Sequence, residues 1–396
     1  MAYKFISPQA VKGKTLAVRL DLNSPVEKGK IVVSARLREH AKTVAGLSKK
    51  GARLALLSHQ GRKGDGDFIP LEQHAKALAG ISGKKISFCG WQEDFVSAIK
   101  NLKDGEAVLL DNTRFQEDEA VEKSPEEHAK SPWIQKIASV SDFFVEDALS
   151  VSHRPHASVV GFAPLLPCFA GPQLEKELDA LEKFGSAEPK KRLFILGGAK
   201  IGDSLKMIGF LLQNNRAEKI LLGGLLGELF LKAGGLSLGE RDAFFSEKGL
   251  DKLVPEAAEA MQKFPGKIFP PLDVALDEKG KRREIPAVKL PSESMIMDIG
   301  KKTISSMKKH IEDADFFVFN GPLGVFEKKQ FAEGTKEIFS EFKKTKKTGI
   351  LGGGDTETAI QALGFSMHDF YHVSLAGKAL LECLSGETLP GLEILK

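Results

Sequence analysis

The chain has 396 residues, 42% of them hydrophobic and 28% charged, with a formal net charge of +4. That length exceeds what one ordinary core organises and predicts two domains. The composition is that of a soluble globular protein, and so small a charge excess excludes a dedicated nucleic-acid binder. Cys89, Cys168 and Cys383 lie far apart and show neither CxxC nor Cys/His zinc spacing, so they read as reduced, buried thiols. No signal pattern or bilayer-length apolar run is present, and a cytoplasmic protein with no membrane partner is expected.

Short apolar runs alternate with helix-period segments along the chain. Leu16 to Leu22 reads as a strand, and Leu37, Ala41, Val44 and Leu47 mark the face of a helix. Leu54–Leu57, Ile86–Phe88, Val108–Leu110 and Phe143–Val145 are further predicted strands, with helices at Leu71–Leu78, Asp94–Leu102 and Ser124–Ser139. Gly161 to Pro167 interrupts this rhythm. Leu174, Leu178, Leu181 and Phe184 then make one amphipathic helix ending in the polar stretch Gly185–Pro189. Strands resume at Leu193–Leu196, Ile220–Leu222, Ile268–Phe269, Met295–Met297, Phe316–Phe319 and Ile350–Leu351. Strand-helix alternation of this kind predicts α/β architecture: two doubly wound parallel-sheet (Rossmann-like) domains joined by an interdomain helix and hinge. The expected boundaries are residues 1–170 for the first domain, with 386–396 returning to it, 171–185 for the helix and 186–385 for the second domain. The basic run Lys343 to Lys347 follows a helical pattern and reads as a solvated helix end.

In open parallel sheets ligands bind beyond the carboxyl ends of the strands, so the residues there carry the chemistry. In the first half they are Arg19, Asp21 and Asn23, then His59 and Arg62, Asn112 and Arg114, and Asp147 followed by His153 and Arg154. Arg36 precedes the first helix. Guanidinium forks match phosphate and carboxylate oxygens, so a small, multiply charged anion is the expected ligand. In the second half the strand ends carry glycines and acids instead. They are Gly197-Gly198-Ala199-Lys200, Gly223-Gly224, Asp298-Ile299-Gly300, Asn320-Gly321-Pro322 and Gly352-Gly353-Gly354-Asp355-Thr356.

Three of these stretches read as opening helices, where free amides and the helix dipole favour a polyphosphate. Lys200 puts a charge at such a turn, and Asp355 stands where a phosphate-bound Mg²⁺ needs an oxygen ligand. Gly223-Gly224 with Leu225, Leu226 and Phe230 reads either as a flat purine slot or as core packing. Walker A and protein-kinase motifs are absent. An anion half facing a nucleotide half implies a kinase for a small acidic substrate. Such a protein closes about a hinge to exclude water and works by positioning and charge neutralisation.

The stretches RLDLNSP (19–25), SHQGR (58–62), LLDNTRF (109–115), VEDALSVSHRPHAS (145–158), GGAKIGDS (197–204), DIGKKT (298–303), NGPLGVFE (320–327), GGGDT (352–356) and SGETLPGLE (385–393) resemble phosphoglycerate kinases in family order, closest to the archaeal branch. The resemblance implies reversible phosphoryl transfer between 1,3-bisphosphoglycerate and ADP, giving 3-phosphoglycerate and ATP with Mg²⁺, by a monomer or a homodimer. It implies that Arg19, Asp21, Asn23, Arg36, His59, Arg62, Arg114 and Arg154 hold the acid. Arg36 and Lys200 would flank the transferred group, and Glu327 would hold the ribose. The nucleotide would also meet Gly197, Gly198, Ala199, Gly223, Asn320, Pro322 and residues Gly352 to Thr356, with Asp355 toward the metal. Leu389–Lys396 would return to the first domain.

Four positions depart from the family pattern: Ser204, Glu146 of the Glu146-Asp147 pair, Lys63, and the loop Ser374-Leu375-Ala376-Gly377-Lys378-Ala379. Glu146 is expected to add negative charge beside the anion site. Lys378 either supplies positive potential or faces solvent. The altered loop leaves a second reading, a non-catalytic nucleotide- and anion-binding relative. Lys63 and Glu146 leave a third, a kinase for another small phosphorylated acid.

Overall fold

The computed structural model describes residues 3–396. Two compact units are present, Met1–Asp179 with Lys378–Lys396, and Ala180–Gly377. In the first, six parallel strands run in the order Ile86–Cys89, Ala107–Leu110, Arg53–Leu57, Thr15–Arg19, Phe143–Glu146 and Cys168–Ala170. Every residue of Thr15–Arg19 is buried, as expected for a central strand covered on both faces. Helix Ala35–Lys49 starts where the Ser34 hydroxyl accepts from Leu37 N, and it buries Leu37, Ala41, Val44 and Leu47 against this sheet.

The second unit repeats the design with Ile268–Phe269, Lys219–Leu222, Arg192–Leu196, Phe316–Asn320, Gly349–Gly352 and His372–Val373, again all parallel. In each sheet the order of connection reverses beside the first strand. The switch lies between Thr15–Arg19 and Phe143–Glu146 in one unit, and between Arg192–Leu196 and Phe316–Asn320 in the other. These are the places where open α/β sheets leave a crevice for ligands.

Some elements differ from the sequence reading. Residues 124–139 form two short helices, Pro125–His128 and Pro132–Ala138, because Pro132 lacks an amide and holds Ser131 extended. Within 161–167, read as a break, the chain turns into the edge strand Cys168–Ala170. The segment near Met295 does not join the parallel sheet. Ile296–Ile299 pairs antiparallel with Asp273–Glu278, which also forms a hairpin with Lys281–Pro286. That hairpin turns through Lys279 and Gly280, both at positive φ, the backbone of a two-residue type I′ turn. Cys89 and Cys168 are buried free thiols, whereas Cys383 is only half-buried. The basic run closes helix Glu333–Thr345, with Lys343, Lys344 and Lys346 exposed.

The second core is built on phenylalanine. Phe317 of the central strand stacks on Phe342 with ring centroids 3.8 Å apart, and both rings are buried. Phe317→Ala leaves a cavity there and is expected to cost about 3–5 kcal/mol. Chemical denaturation followed by a probe in this unit checks it, the expected result being a clearly lowered midpoint.

Candidate active site

In the first unit the crevice is floored by Arg19, only 1% exposed. Its Nε donates to Ser158 Oγ at 2.8 Å, its Nη1 to Leu20 O, and its Nη2 lies 3.1 Å from His59 Nδ1. A guanidinium only donates, so His59 Nδ1 carries a lone pair and its proton sits on Nε2. Burial, with Arg19 and Arg114 nearby, holds the His59 pKa well below the histidine range, in keeping with a neutral donor. Ser158 passes the arginine's bond onward, its hydroxyl reaching Glu119 Oε1 at 2.6 Å while its amide meets Oε2 at 2.8 Å.

Above this floor Arg62, Arg114 and Arg154 line a pocket of about 770 Å³ together with Lys63, Phe68, Phe115 and His156. Arg114 Nη1 donates to Gly61 O, and Arg154 Nε meets His153 Nε2 at 3.0 Å. Burial, then Arg19 and Arg154, push Arg114 down to about 10, a sign of positive charge awaiting a partner. Asn112 bonds the backbone of Gln60, and Asn23 Oδ1 accepts from Gly61 N at 3.0 Å, which fixes the turn between His59 and Arg62. Arg36, 26% exposed, pairs with Asp21 at 3.0 Å. Burial opposes ionisation of Asp21, but Arg36 and the Ser150 hydroxyl hold its carboxyl well below the carboxylate range.

Arg19 and Asp21 therefore lie beneath the surface that Arg62, Arg114 and Arg154 present. His156, Lys63, Phe68 and Phe115 join that lining although strand-end reasoning did not select them. His156 sits within 145–158, one of the quoted stretches, and its spacing from Arg154 was the available signal. Glu146 does not stand at the surface of the anion site: it is fully buried, and burial raises its pKa well above the carboxylate range. Lys378 is exposed and pairs with Glu382 of its own helix at 2.9 Å. The terminal segment lies on this unit, with Gly391 N bonded to Ser152 O and Lys4 N to Leu395 O, both at 2.8 Å.

In the second unit three loops meet at the switch point. Gly197 N donates to Asn320 O at 2.9 Å and Gly198 N to Pro322 O at 2.7 Å. Gly321, at φ +88°, passes so close to Gly197 that an added Cβ would lie 2.5 Å from Gly197 O. Glycine here serves loop-to-loop contact. Helices Ile201–Gln213, Gly224–Ala233 and Gly354–Ala362 then begin without a side-chain cap; Gly224 N donates to Leu323 O at 2.9 Å, while the first amides of the other two are left for an anion. Thr356 Oγ1 accepts from Gly321 N at 2.9 Å and ties the last of these helices to the loops. Lys200, Glu327, Gly354 and Asp355 are exposed around this region.

One expectation fails here, and one open alternative is decided. Asp298-Ile299-Gly300 is not a phosphate-facing strand end. The Asp298 carboxylate is buried against Arg282 at 2.8 Å and Gly334 N at 2.9 Å, and burial raises its pKa to about 6 despite them. The helix it precedes, Lys301–Asp313, is already capped by Asp273, which accepts from Lys302 N and Thr303 N. Leu226 and Phe230 are fully buried, so the apolar part of the Gly223 stretch packs the core.

Clustered arginines on one doubly wound unit and uncapped helix starts on the other define a phosphotransferase for a small anionic acceptor. A family model for phosphoglycerate kinase matches residues 6–387. The chain is 38% identical over 387 residues to the phosphoglycerate kinase of Natronomonas pharaonis, covering 97% of each chain. It is 37% identical over 388 residues to that of Archaeoglobus fulgidus, covering 97% of this chain and 94% of the relative. The crystal structure of phosphoglycerate kinase from Pyrococcus horikoshii OT3 superposes with a TM-score of 0.90 at 35% identity, covering 99% of this chain and 98% of that one. The Coxiella burnetii enzyme gives 0.81 at 28% identity, covering 100% and 99%. The chain belongs to the phosphoglycerate kinase family, enzymes that transfer a phosphoryl group to a carboxyl acceptor. Among the described residues no helix is long and apolar enough to cross a membrane.

Buried histidines around the acid-binding crevice set its response to acid. His74 bonds Gln60 Oε1 at 3.0 Å while its Nδ1 is buried without a partner, and burial pushes its pKa from 6.5 to about 4. Burial, then Arg154 and Arg19, push His156 to about 3. The unfolded chain then binds more protons than the folded one below pH 6.5, so stability is lost as pH falls from 6.5 toward these values. His74→Gln keeps a donor for Gln60 and cannot titrate. Denaturation midpoints measured from pH 7 to 4 are expected to fall less steeply in this variant than in the wild type.

Proposed function

We propose that 3-phosphoglycerate is held through its phosphate by Arg62, Arg114 and Arg154, with its carboxylate turned toward Arg36. The carrying observation is the pocket these three guanidinium groups line, with buried Arg19 beneath it, offering more positive charge than the surrounding carboxylates balance. His59 contributes its Nε2–H as a neutral donor. Asp21 and Asn23 act from below, Asp21 by orienting Arg36 and Asn23 by holding the Gly61 turn.

The nucleotide phosphates are proposed to lie against the starts of helices Ile201–Gln213 and Gly354–Ala362, with Gly197, Gly198, Ala199 and Lys200 on one side and Gly352 to Thr356 on the other. Gly223, Asn320 and Pro322 shape the loops between them, and Glu327 reaches the ribose. Among the described residues no group of three or more His, Cys, Asp or Glu side chains forms a metal cage. A single exposed carboxylate, Asp355, fits a Mg²⁺ that takes most of its ligands from phosphate and water, and the ion would neutralise phosphate charge there.

In the ATP-consuming direction a carboxylate oxygen of 3-phosphoglycerate attacks the γ-phosphorus. The bond to the bridging oxygen breaks, and ADP leaves with that electron pair. The acceptor is ionised at neutral pH, so no base removes a proton. What this chain supplies is alignment, water exclusion and positive charge where the transferred oxygens gain density. Arg36 does this from the acid-binding unit and Lys200 from the nucleotide-binding unit. The proposed working form is a cytoplasmic monomer, with a homodimer as the alternative.

A coupled assay with 3-phosphoglycerate and Mg-ATP tests the assignment. Arg36→Ala and Lys200→Ala are each expected to lower kcat by ~10²-fold or more, with KM changing much less. Near-normal kcat in either variant would remove that residue from the mechanism.

A further inference from the structure

Helix Ala35–Lys49 carries Arg36 at its start and, one turn later, His40, a residue that no step above uses. His40 is 3% exposed, and both of its ring nitrogens are committed. The backbone N–H of Asp21 points at Nε2 from 3.2 Å, and Asp147 Oδ2 lies 3.0 Å from Nδ1. An amide can only donate, so Nε2 must present a lone pair and the ring proton must sit on Nδ1, donated to Asp147. Three further donors converge on Asp147: Thr43 Oγ1 at 2.7 Å on the same oxygen, and Gln173 N at 2.7 Å and Leu174 N at 3.3 Å on the other. Asp147 is thus held by two helices and a strand end, and it fixes the imidazole in turn.

Downstream of the imidazole stands the turn carrying Asp21. Its carboxylate takes Asn23 N at 3.1 Å, Ser150 Oγ at 2.5 Å and the Arg36 guanidinium at 3.0 Å. We infer that His40, as a neutral Nδ1–H imidazole, is a positioning residue of the reaction: it locks the Asp21 turn and thereby the orientation of Arg36. The inference rests on the role proposed for Arg36. Protonating His40 would put a second donor against the Asp21 amide, two N–H groups facing one another in a site closed to water, and the turn would have to open.

The charged groups around His40 come from several elements. Asp147 follows strand Phe143–Glu146, Asp21 follows Thr15–Arg19, Arg36 shares the helix, and His59 and Glu146 lie beyond Asp21. From helix Pro172–Ser186 come the two amides and Lys176, which pairs with Glu39 at 3.5 Å.

Nitrogen-15 NMR of the labelled whole chain reads the tautomer directly, with His40→Gln identifying the signals. A protonated Nδ1 and bare Nε2 at pH 7 are expected, and an Nε2–H form or an imidazolium would overturn the inference. In the same assay His40→Leu is expected to lower kcat by roughly 10-fold or more while leaving the KM for Mg-ATP unchanged. His40→Gln places an acceptor near the Nε2 position, so it should recover most of that loss. Wild-type kcat in folded His40→Leu, or His40→Gln as slow as His40→Leu, would contradict it. Wild-type protein that fails to phosphorylate 3-phosphoglycerate would instead sink the proposed function, a different result from either variant behaving normally.

Discussion

Like charges crowded into one crevice are the constraint on which the first unit is built. Arg19 is fully enclosed by protein, and it is tolerable there because three acceptors meet it: Ser158, the Leu20 carbonyl and the lone pair of His59. Glu119 balances it at one remove through Ser158. At the pocket above, Arg62, Lys63, Arg114 and Arg154 outnumber the two carboxylates that line it, Glu117 and Glu122. The fold spends its counter-charges below the pocket and leaves the rim positive, so a small dianion completes the arrangement.

Two histidines in this crevice are locked in opposite tautomers, and hydrogen-bond logic alone decides which. His59 accepts at Nδ1 from Arg19 and keeps its proton on Nε2. His40 accepts at Nε2 from the Asp21 amide and keeps its proton on Nδ1. Neither needs to change charge during transfer to an acceptor that is already ionised. The second unit solves the complementary problem with backbone: loops drawn together through Gly197, Gly198 and Gly321 present uncapped helix starts in place of side-chain charge.

Much of this could be read in the sequence because buried parallel strands are written as short unbroken apolar runs, so stretches such as LALLS (54–58) announce both the strand and the residue that follows it. Leu54–Leu57 led directly to His59, and Leu193–Leu196 to Lys200. Depth was harder to read. Arg19 looks like any strand-end arginine, and only the fold shows that it is enclosed while Arg62 is open. Asp298 follows an apolar run as Asp21 does, yet it ends an antiparallel strand and faces Arg282, a partner sixteen positions away that periodicity could not supply. Glu146 reads as a charge until its burial is known. Pro132 was a readable break inside the segment taken as one helix, and local chemistry there outweighed helical spacing.

The account's central claim is that acid and nucleotide are recognised by chemically different halves, guanidinium groups for one and amides for the other. Calorimetric titration of Arg114→Gln with 3-phosphoglycerate and, separately, with Mg-ADP tests it most directly. The account predicts affinity for 3-phosphoglycerate lowered by roughly 10-fold or more, the cost of one charge-assisted pair, with Mg-ADP binding unchanged. Unaltered 3-phosphoglycerate binding, or an equal loss for both ligands, would contradict it.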